Sequence, residues 1–331
     1  MKKVVNAPAN VVSEMIEGMV LAFPDYVRKI DSADVMVRAN AKKGNVALIS
    51  GGGSGHEPSH AGFIGHGMLD AGVCGAVFTS PTPDAVFEAI KAVKTDEGVL
   101  LIIKNYTGDV MNFEMAMEMA EAEGIKVDKV VVDDDVAVQN STWTEGRRGI
   151  AGTVLVHKIT GAKAETGASL ADVKAVAEKV IANVRSMGMA LTPCIIPEAG
   201  KPSFTLGENE MEVGLGIHGE PGVRRETIKP ANEIVDELLG KILADMPVNS
   251  GEEVAVLVNG LGSTPLMELF VVNKRVNEVL TGKGIKIHKT LVGEYMTAIE
   301  MAGFSISVLK LDAELKTLLG AKADTPAYKE F

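Results

Sequence analysis

The sequence predicts an α/β protein made of two α/β domains, each with a largely parallel or mixed sheet flanked by helices. Three observations carry that expectation. Short continuous apolar runs recur along the 331 residues, each leading into a polar or glycine-rich loop and then an amphipathic segment, the order that parallel strands and crossover helices impose. The length exceeds the roughly 100–200 residues of one domain. Between Ser186 and Lys201 the periodicity lapses, with Gly188, Pro193, Pro197 and Gly200 in close succession. A boundary placed there divides the chain into an N-terminal domain over 1–188 and a C-terminal domain over 189–331.

In chain order, the strands of the first half are expected at Val46 to Ser50, Ala76 to Ser80, Val99 to Lys104 and Val127 to Val132. In SPTPDAVFEAIKAV, Thr82 suits the N-cap and Pro83 the first helical position, with Ala85, Val86, Ala89, Ile90 and Val93 on one stripe. Ser169 with Asp172 three residues on marks a second helix start, followed by an apolar face from Leu170 to Val184. Beyond the boundary, Val254 to Val258, Lys286 to Val292 and Ser305 to Leu311 read as strands, and Pro265 to Leu280 as a helix.

Composition narrows the function. The formal net charge is −11, from 33 basic against 44 acidic residues, which opposes wrapping a nucleic acid because phosphate neutralisation needs clustered Lys and Arg. The pairs Arg147-Arg148 and Arg224-Arg225 read as solvated loop charges or helix-end partners. Cys74 and Cys194 stand far apart without CxxC spacing, as expected of free thiols in a reducing compartment. The N-terminus lacks a signal-like apolar region, and no run approaches the ~20 apolar residues that span a bilayer. A soluble cytoplasmic protein without membrane attachment is expected.

The stretch GGGSGHEPSHAGFIGHG (51–67) contains H-E-x-x-H, with His66 near the place of a third zinc ligand. That motif needs one continuous helix through both histidines. Pro58 pushes Glu57 away from helical dihedrals, so the helix is expected to begin near Pro58, leaving His56 outside it and no metal bound. A P-loop fails for want of a lysine after the glycines, and the dinucleotide fingerprint fails because a histidine stands at 56. What remains is His56 at the carboxyl end of a strand, beside backbone with free N–H groups, at the sheet edge where α/β proteins bind ligands. A turn-bonding histidine is the plainer reading.

The strand VLLIIK opens into NYTGD, placing Lys104 and Asp109 on a second loop at that edge. Asp109 as a helix cap and Lys104 as a rim charge are the plainer readings. His218, in EVGLGIHGEPGV, lies between Gly216 and Gly219 and so carries an accessible ring. His60, His66, His157 and His288 lack such settings and read as structural. Asp133 to Asp135 read as strand-end carboxylates or caps, and Met111, Met115 and Met119 as packing.

The blocks ISGGGSGHEP, FTSPTPD, LLIIKNYTGD, VVVDDDVAV, GRRGIAGT, AGKPSFTL, EMEVGLGIHGEPG and LVNGLGSTPLMEL, in this order, resemble the dihydroxyacetone kinase substrate-binding subunits over nearly the whole chain. The resemblance implies two α/β domains, a homodimer, and covalent capture of dihydroxyacetone as a hemiaminal by a histidine, which falls on His218. It places the catalytic pair on His56 and Asp109, and substrate contacts on Gly53, Ser54, Gly55, His56 and Lys104. One-chain relatives carry a further helical nucleotide-binding domain, and this sequence ends at Phe331 without one. The resemblance therefore implies a separate L-type partner subunit holding ADP or ATP and Mg, recharged by an M-type phosphotransferase-system subunit, with no cofactor in this chain. A paralogous dihydroxyacetone sensor, acting as coactivator of a transcription regulator, is the alternative that shares His218.

Overall fold

The computed structural model describes residues 2–139, 144–220 and 222–331. The first sheet contains β1 (Val27–Lys29), β2 (Val35–Arg38), β3 (Ala47–Ser54), β4 (Ala71–Val77), β5 (Val99–Lys104) and β6 (Val127–Val132), in the spatial order β1-β2-β4-β3-β5-β6. The four strands from β4 to β6 are parallel, and β1 and β2 extend one edge antiparallel. The second sheet contains β7 (Val184–Ala190), β8 (Glu210–Val213), β9 (Arg224–Thr227), β10 (Glu253–Gly260), β11 (Lys286–Gly293) and β12 (Gly303–Leu311), ordered β11-β10-β12-β7-β8-β9. Only β10 and β11 run parallel there. The helices are α1 (Val11–Ala22), α2 (Pro83–Val93), α3 (Thr107–Ala122), α4 (Thr153–Glu165), α5 (Leu170–Ala182), α6 (Ala231–Asp245), α7 (Leu266–Gly282) and α8 (Ala313–Leu319).

Alternation along the strands shows how these elements layer. On β5, Leu100 and Ile102 pack with Val156 and Ile159 of α4, Val173 and Val180 of α5, and Leu257 and Leu309 of the second sheet. Their neighbours Leu101 and Ile103 face the opposite way, against Val86 and Ile90 of α2 and Phe113 of α3. On β10 the same alternation turns Val256 and Val258 toward Leu238 of α6 and Val272 of α7. Helix α4, buried along almost its whole length, thus lies inside a core shared by both halves, which are packed against one another.

Local chemistry sets the helix starts as expected. Thr82 accepts the amide of Ala85 at the head of α2, and Ser169 accepts that of Asp172 at the head of α5. Position 188 falls inside β7, which pairs with β12. Gly188 thus extends a strand instead of breaking one. Residues 313–331 return to the first half, where Leu315 and Leu319 of α8 join the shared core and the backbone of His66 bridges Asp324.

Several expectations are revised. The strand expected at Ala76 to Ser80 is β4, which ends at Val77 because Phe78 takes a left-handed φ of 56°. The strand expected at Val46 to Ser50 runs on to Ser54, its glycines pairing with β4. No α-helix begins at Pro58; residues 57–60 turn, and a single 3-10 turn spans Ala61–Phe63. Arg148 is buried, not solvated, and pairs with Asp135 at 2.7 Å. Met111 and Met115 face outward, because α3 buries the side carrying Phe113, Ala116 and Ala120. Among the described residues no helix is long and apolar enough to cross a membrane.

Candidate functional site

From the central strand β3 the chain passes to β4 on one side, while β5 on its other side leads to β6. The loops leaving β3 and β5 therefore diverge and open a crevice at the carboxyl edge, the place where open α/β sheets bind ligands. The glycine run leaves β3 there, and Lys104 to Asp109 leave β5. A cavity of ≈ 720 Å³ lies at this edge, lined by Gly53, Phe78, Tyr106, Asp109, His218 and Glu220 among others. His218 comes from the second half, in the turn following β8. Among the described residues, no cluster of His, Cys, Asp and Glu could hold a metal ion.

The two halves are clasped at this point. The amide of Ile299 donates to Gly55 O at 2.7 Å, that of Thr297 to His56 O at 3.2 Å, and Thr297 Oγ1 to Glu57 O at 2.9 Å. His56 is fully buried, with Nδ1 2.7 Å from Thr297 O. A carbonyl only accepts, so Nδ1 carries the proton and Nε2 keeps its lone pair. Nε2 has no protein partner among the described residues. Burial, with His218 and Lys104 nearby, holds the His56 pKa well below its ordinary value. The ring is therefore neutral near pH 7, with an open acceptor.

Phe78, in its left-handed conformation, stacks on His56 at 5.1 Å between ring centroids. Such backbone in a bulky residue costs about 1–3 kcal/mol and persists only where the surroundings over-determine it. His218 meets His56 edge-on at 4.7 Å, and Phe78 and Tyr106 meet it at 5.3 and 4.4 Å. Three rings thus surround the imidazole, whose side chain keeps 16% exposure. The ring is half-buried and still open to the cavity. Glu220 lies beside it, with Oε2 accepting the His218 amide at 2.9 Å and Oε1 3.4 Å from Nδ1.

The expected contact residues divide. Gly53 lines the cavity, where a Cβ would lie 2.5 Å from the Thr79 amide nitrogen, so the strand runs this close to its neighbour only as glycine. Ser54 turns away and donates to Gly75 O at 2.7 Å, while the Gly55 carbonyl is taken by Ile299. Lys104 lies buried beneath the cavity. Its Nζ reaches Gly51 O at 3.1 Å, His60 Nε2 at 3.1 Å and Asp109 Oδ2 at 3.4 Å, so all three hydrogens have protein acceptors. Asp109 is not the helix cap; it lies in the first turn of α3, with Tyr106 at the cap position. That turn favours its negative charge.

Sequence reasoning passed over Phe78, Tyr106, Glu220 and His60. His60 reads as structural yet touches Lys104, and its Nδ1 lies 2.9 Å from His157 Nε2. Burial foremost, with Lys104 and neighbouring histidines, lowers its pKa well below the ordinary value. The Glu two residues after His218 was the one signal available for Glu220. The other three come together only through folding. Asp134 and Asp135 are buried, not solvated, and Asp134 accepts the amides of Ile150 and Gly152 ahead of α4 without capping it.

The model of the Dak1 domain matches residues 17–327. A PTS-dependent dihydroxyacetone kinase dihydroxyacetone-binding subunit of Listeria innocua is 55% identical over 329 residues, 99% of this chain and 100% of its own length. Among solved structures, the dihydroxyacetone kinase of C. freundii is 37% identical with a TM-score of 0.90. It matches 99% of this chain, which spans 60% of that longer one. A dihydroxyacetone kinase operon co-activator is 36% identical with a TM-score of 0.91, covering 96% of this chain and 98% of its own.

Proposed function

The chain belongs to the Dak1 family, and from that premise we propose that it holds dihydroxyacetone in the cavity as a hemiaminal on Nε2 of His218 and presents it for phosphorylation. It is a subunit of a PTS-dependent dihydroxyacetone kinase, a phosphotransferase. The observation that carries the finer reading is the meeting, in one crevice, of an imidazole from the second half with His56 and Asp109 from the first.

The chemistry follows from the groups present. Nε2 of His218 adds to the carbonyl carbon: a C–N bond forms and the C=O π pair passes to oxygen, which gains a proton while the imidazole loses one from Nδ1. The addition fixes a small flexible triose in one orientation, supplying proximity that weak contacts alone would not. Glycerol lacks the carbonyl and is left out. The bare Nε2 of His56, in ring contact with His218, is placed to move a proton during the addition. Asp109 then accepts the proton of a terminal hydroxyl as that oxygen attacks the phosphoryl group. Lys104, spent on Asp109, His60 and Gly51, orients the base from below. The phosphoryl donor is the nucleotide, with Mg, of an L-type partner: transfer leaves ADP there, and the M-type subunit recharges it to ATP, in a cytoplasmic assembly built on a homodimer of this chain.

Intact mass spectrometry tests the capture. Wild type incubated with dihydroxyacetone gains the mass of one triose, whereas His218→Ala and wild type with glycerol do not. Equal labelling of both proteins sinks the assignment. Turnover with a nucleotide-loaded partner separates a kinase subunit from a sensor. The 36% identical co-activator makes that comparison necessary, and retention of Asp109 in the cavity favours turnover.

A further inference from the structure

We infer that Glu220 is a positioning residue that sets the tautomer of His218, leaving Nε2 unprotonated and aimed into the cavity. The inference rests on the capture reading above for its consequence, and on geometry for its substance.

An imidazole is nucleophilic only through the nitrogen that lacks a proton, and in a neutral ring a hydrogen-bond partner decides which nitrogen that is. The Glu220 carboxylate faces two groups of His218 at once: Oε2 takes the backbone amide at 2.9 Å, and Oε1 lies 3.4 Å from Nδ1. An ionised carboxylate only accepts, so the proton sits on Nδ1 and the lone pair on Nε2. The carboxylate has little room to leave this position. A Cβ on Gly216 would lie 2.4 Å from its Oε2, so any side chain at 216 would push the carboxylate away from the His218 amide. Its side chain is 9% exposed. Burial works against its charge, but the His218 contacts and the Arg148 guanidinium outweigh this and hold the carboxyl down to about 2. Tyr106, edge-on at 4.4 Å, restrains the ring from another side.

The same geometry predicts an asymmetric response to substitution. In Glu220→Gln one carboxylate oxygen becomes an NH2 group. The His218 backbone amide is a fixed donor, so it claims the remaining oxygen and the NH2 is left facing Nδ1. Nδ1 must then accept, the proton moves to Nε2, and the nucleophilic lone pair is lost although shape is conserved. During capture the carboxylate has a second use. As the C–N bond forms, positive charge grows on the ring, and Glu220 faces it until the Nδ1 proton departs.

The test reads the tautomer directly. Long-range 1H–15N correlation spectra of histidine-labelled protein, with His218→Ala to assign the signal, report which ring nitrogen is protonated. Wild type is expected to show Nδ1–H, and Glu220→Gln is expected to show Nε2–H. Adduct formation with dihydroxyacetone at pH 7, followed by mass spectrometry, should slow about 100-fold in Glu220→Gln, with partial rescue in Glu220→Asp. A wild-type ring protonated on Nε2 overturns the inference even if no variant folds, and so does a Glu220→Gln protein that keeps the wild-type tautomer and labelling rate. If wild type shows Nδ1–H and forms no adduct, the capture reading fails while the tautomer assignment stands.

Discussion

His157 sits on α4 with no exposed surface, its Nε2 2.9 Å from His60 Nδ1 and its own Nδ1 without a partner among the described residues. Burial first, and the Lys104 charge second, push its pKa from 6.5 down to about 3. The folded protein therefore refuses a proton that the unfolded chain takes up below 6.5. With more protons bound to the unfolded state, stability falls as pH drops from 6.5 toward 3. pH 5 lies 1.5 units below the unfolded pKa of 6.5 and still above the folded value, and at about 1.36 kcal/mol per unit this one residue destabilises the fold by ~2 kcal/mol. His157→Gln removes the titration, and whatever it costs in packing is the same at both pH values. Urea unfolding of wild type and variant at pH 7 and pH 5 isolates the effect, since every other titrating group is common to both. The stability advantage of wild type over the variant should shrink by ~2 kcal/mol at pH 5. An advantage that stays constant refutes the argument and means that the folded protein already accommodates a proton at this site.

Asp109→Asn should still label with dihydroxyacetone but lose turnover by about 10²–10⁴-fold with a loaded partner; loss of labelling as well would show Asp109 acting before phosphoryl transfer. Gly53→Ala brings a Cβ to 2.5 Å from the Thr79 amide nitrogen, so it should cost ~1–3 kcal/mol in denaturant unfolding and abolish labelling by shifting the crevice wall. Arg148→Met leaves the buried Asp135 without its ion pair, with an expected loss of ~3–5 kcal/mol near pH 7. Burial raises the Asp135 carboxyl to about 6 even with Arg148 present. Its folded pKa thus lies above the unfolded one, and the loss in Arg148→Met should ease as pH falls and the carboxyl protonates. Thermal unfolding at pH 5 and pH 7 checks this, and an equal loss at both sinks it.

The sheet architecture was legible because its signals are local. A buried parallel strand reads as a continuous apolar run, so Val99–Lys104 and Val127–Val132 emerge with their observed ends. A polar oxygen at a helix start likewise announces itself, as Thr82 and Ser169 do. Where the reading slipped, tertiary contact overrode local preference. Gly51 to Gly53 look like the end of a strand, yet pairing with β4 extends it through them. Phe78 looks like strand interior, yet its stacking on His56 accompanies a left-handed turn. Arg148 looks solvated until Asp135, thirteen positions away, meets it in the interior.

For the site, sequence order marks which residues stand at strand ends but carries no account of what faces them. His56, Asp109 and His218 can be picked out because glycines or a strand terminus surround each one. What makes them chemically distinct is supplied from elsewhere: Thr297 fixes the His56 tautomer across 241 positions, and His60 takes a hydrogen of Lys104 across 44. Proton placement on His56 is thus a property of the contact between the two halves. It follows that a change weakening the clasp at residues 295–299 should alter the ionisation of His56 before it alters any residue lining the cavity. Once Thr297 O withdraws, either ring nitrogen can hold the proton, and burial, the largest cause holding its pKa down, is relieved.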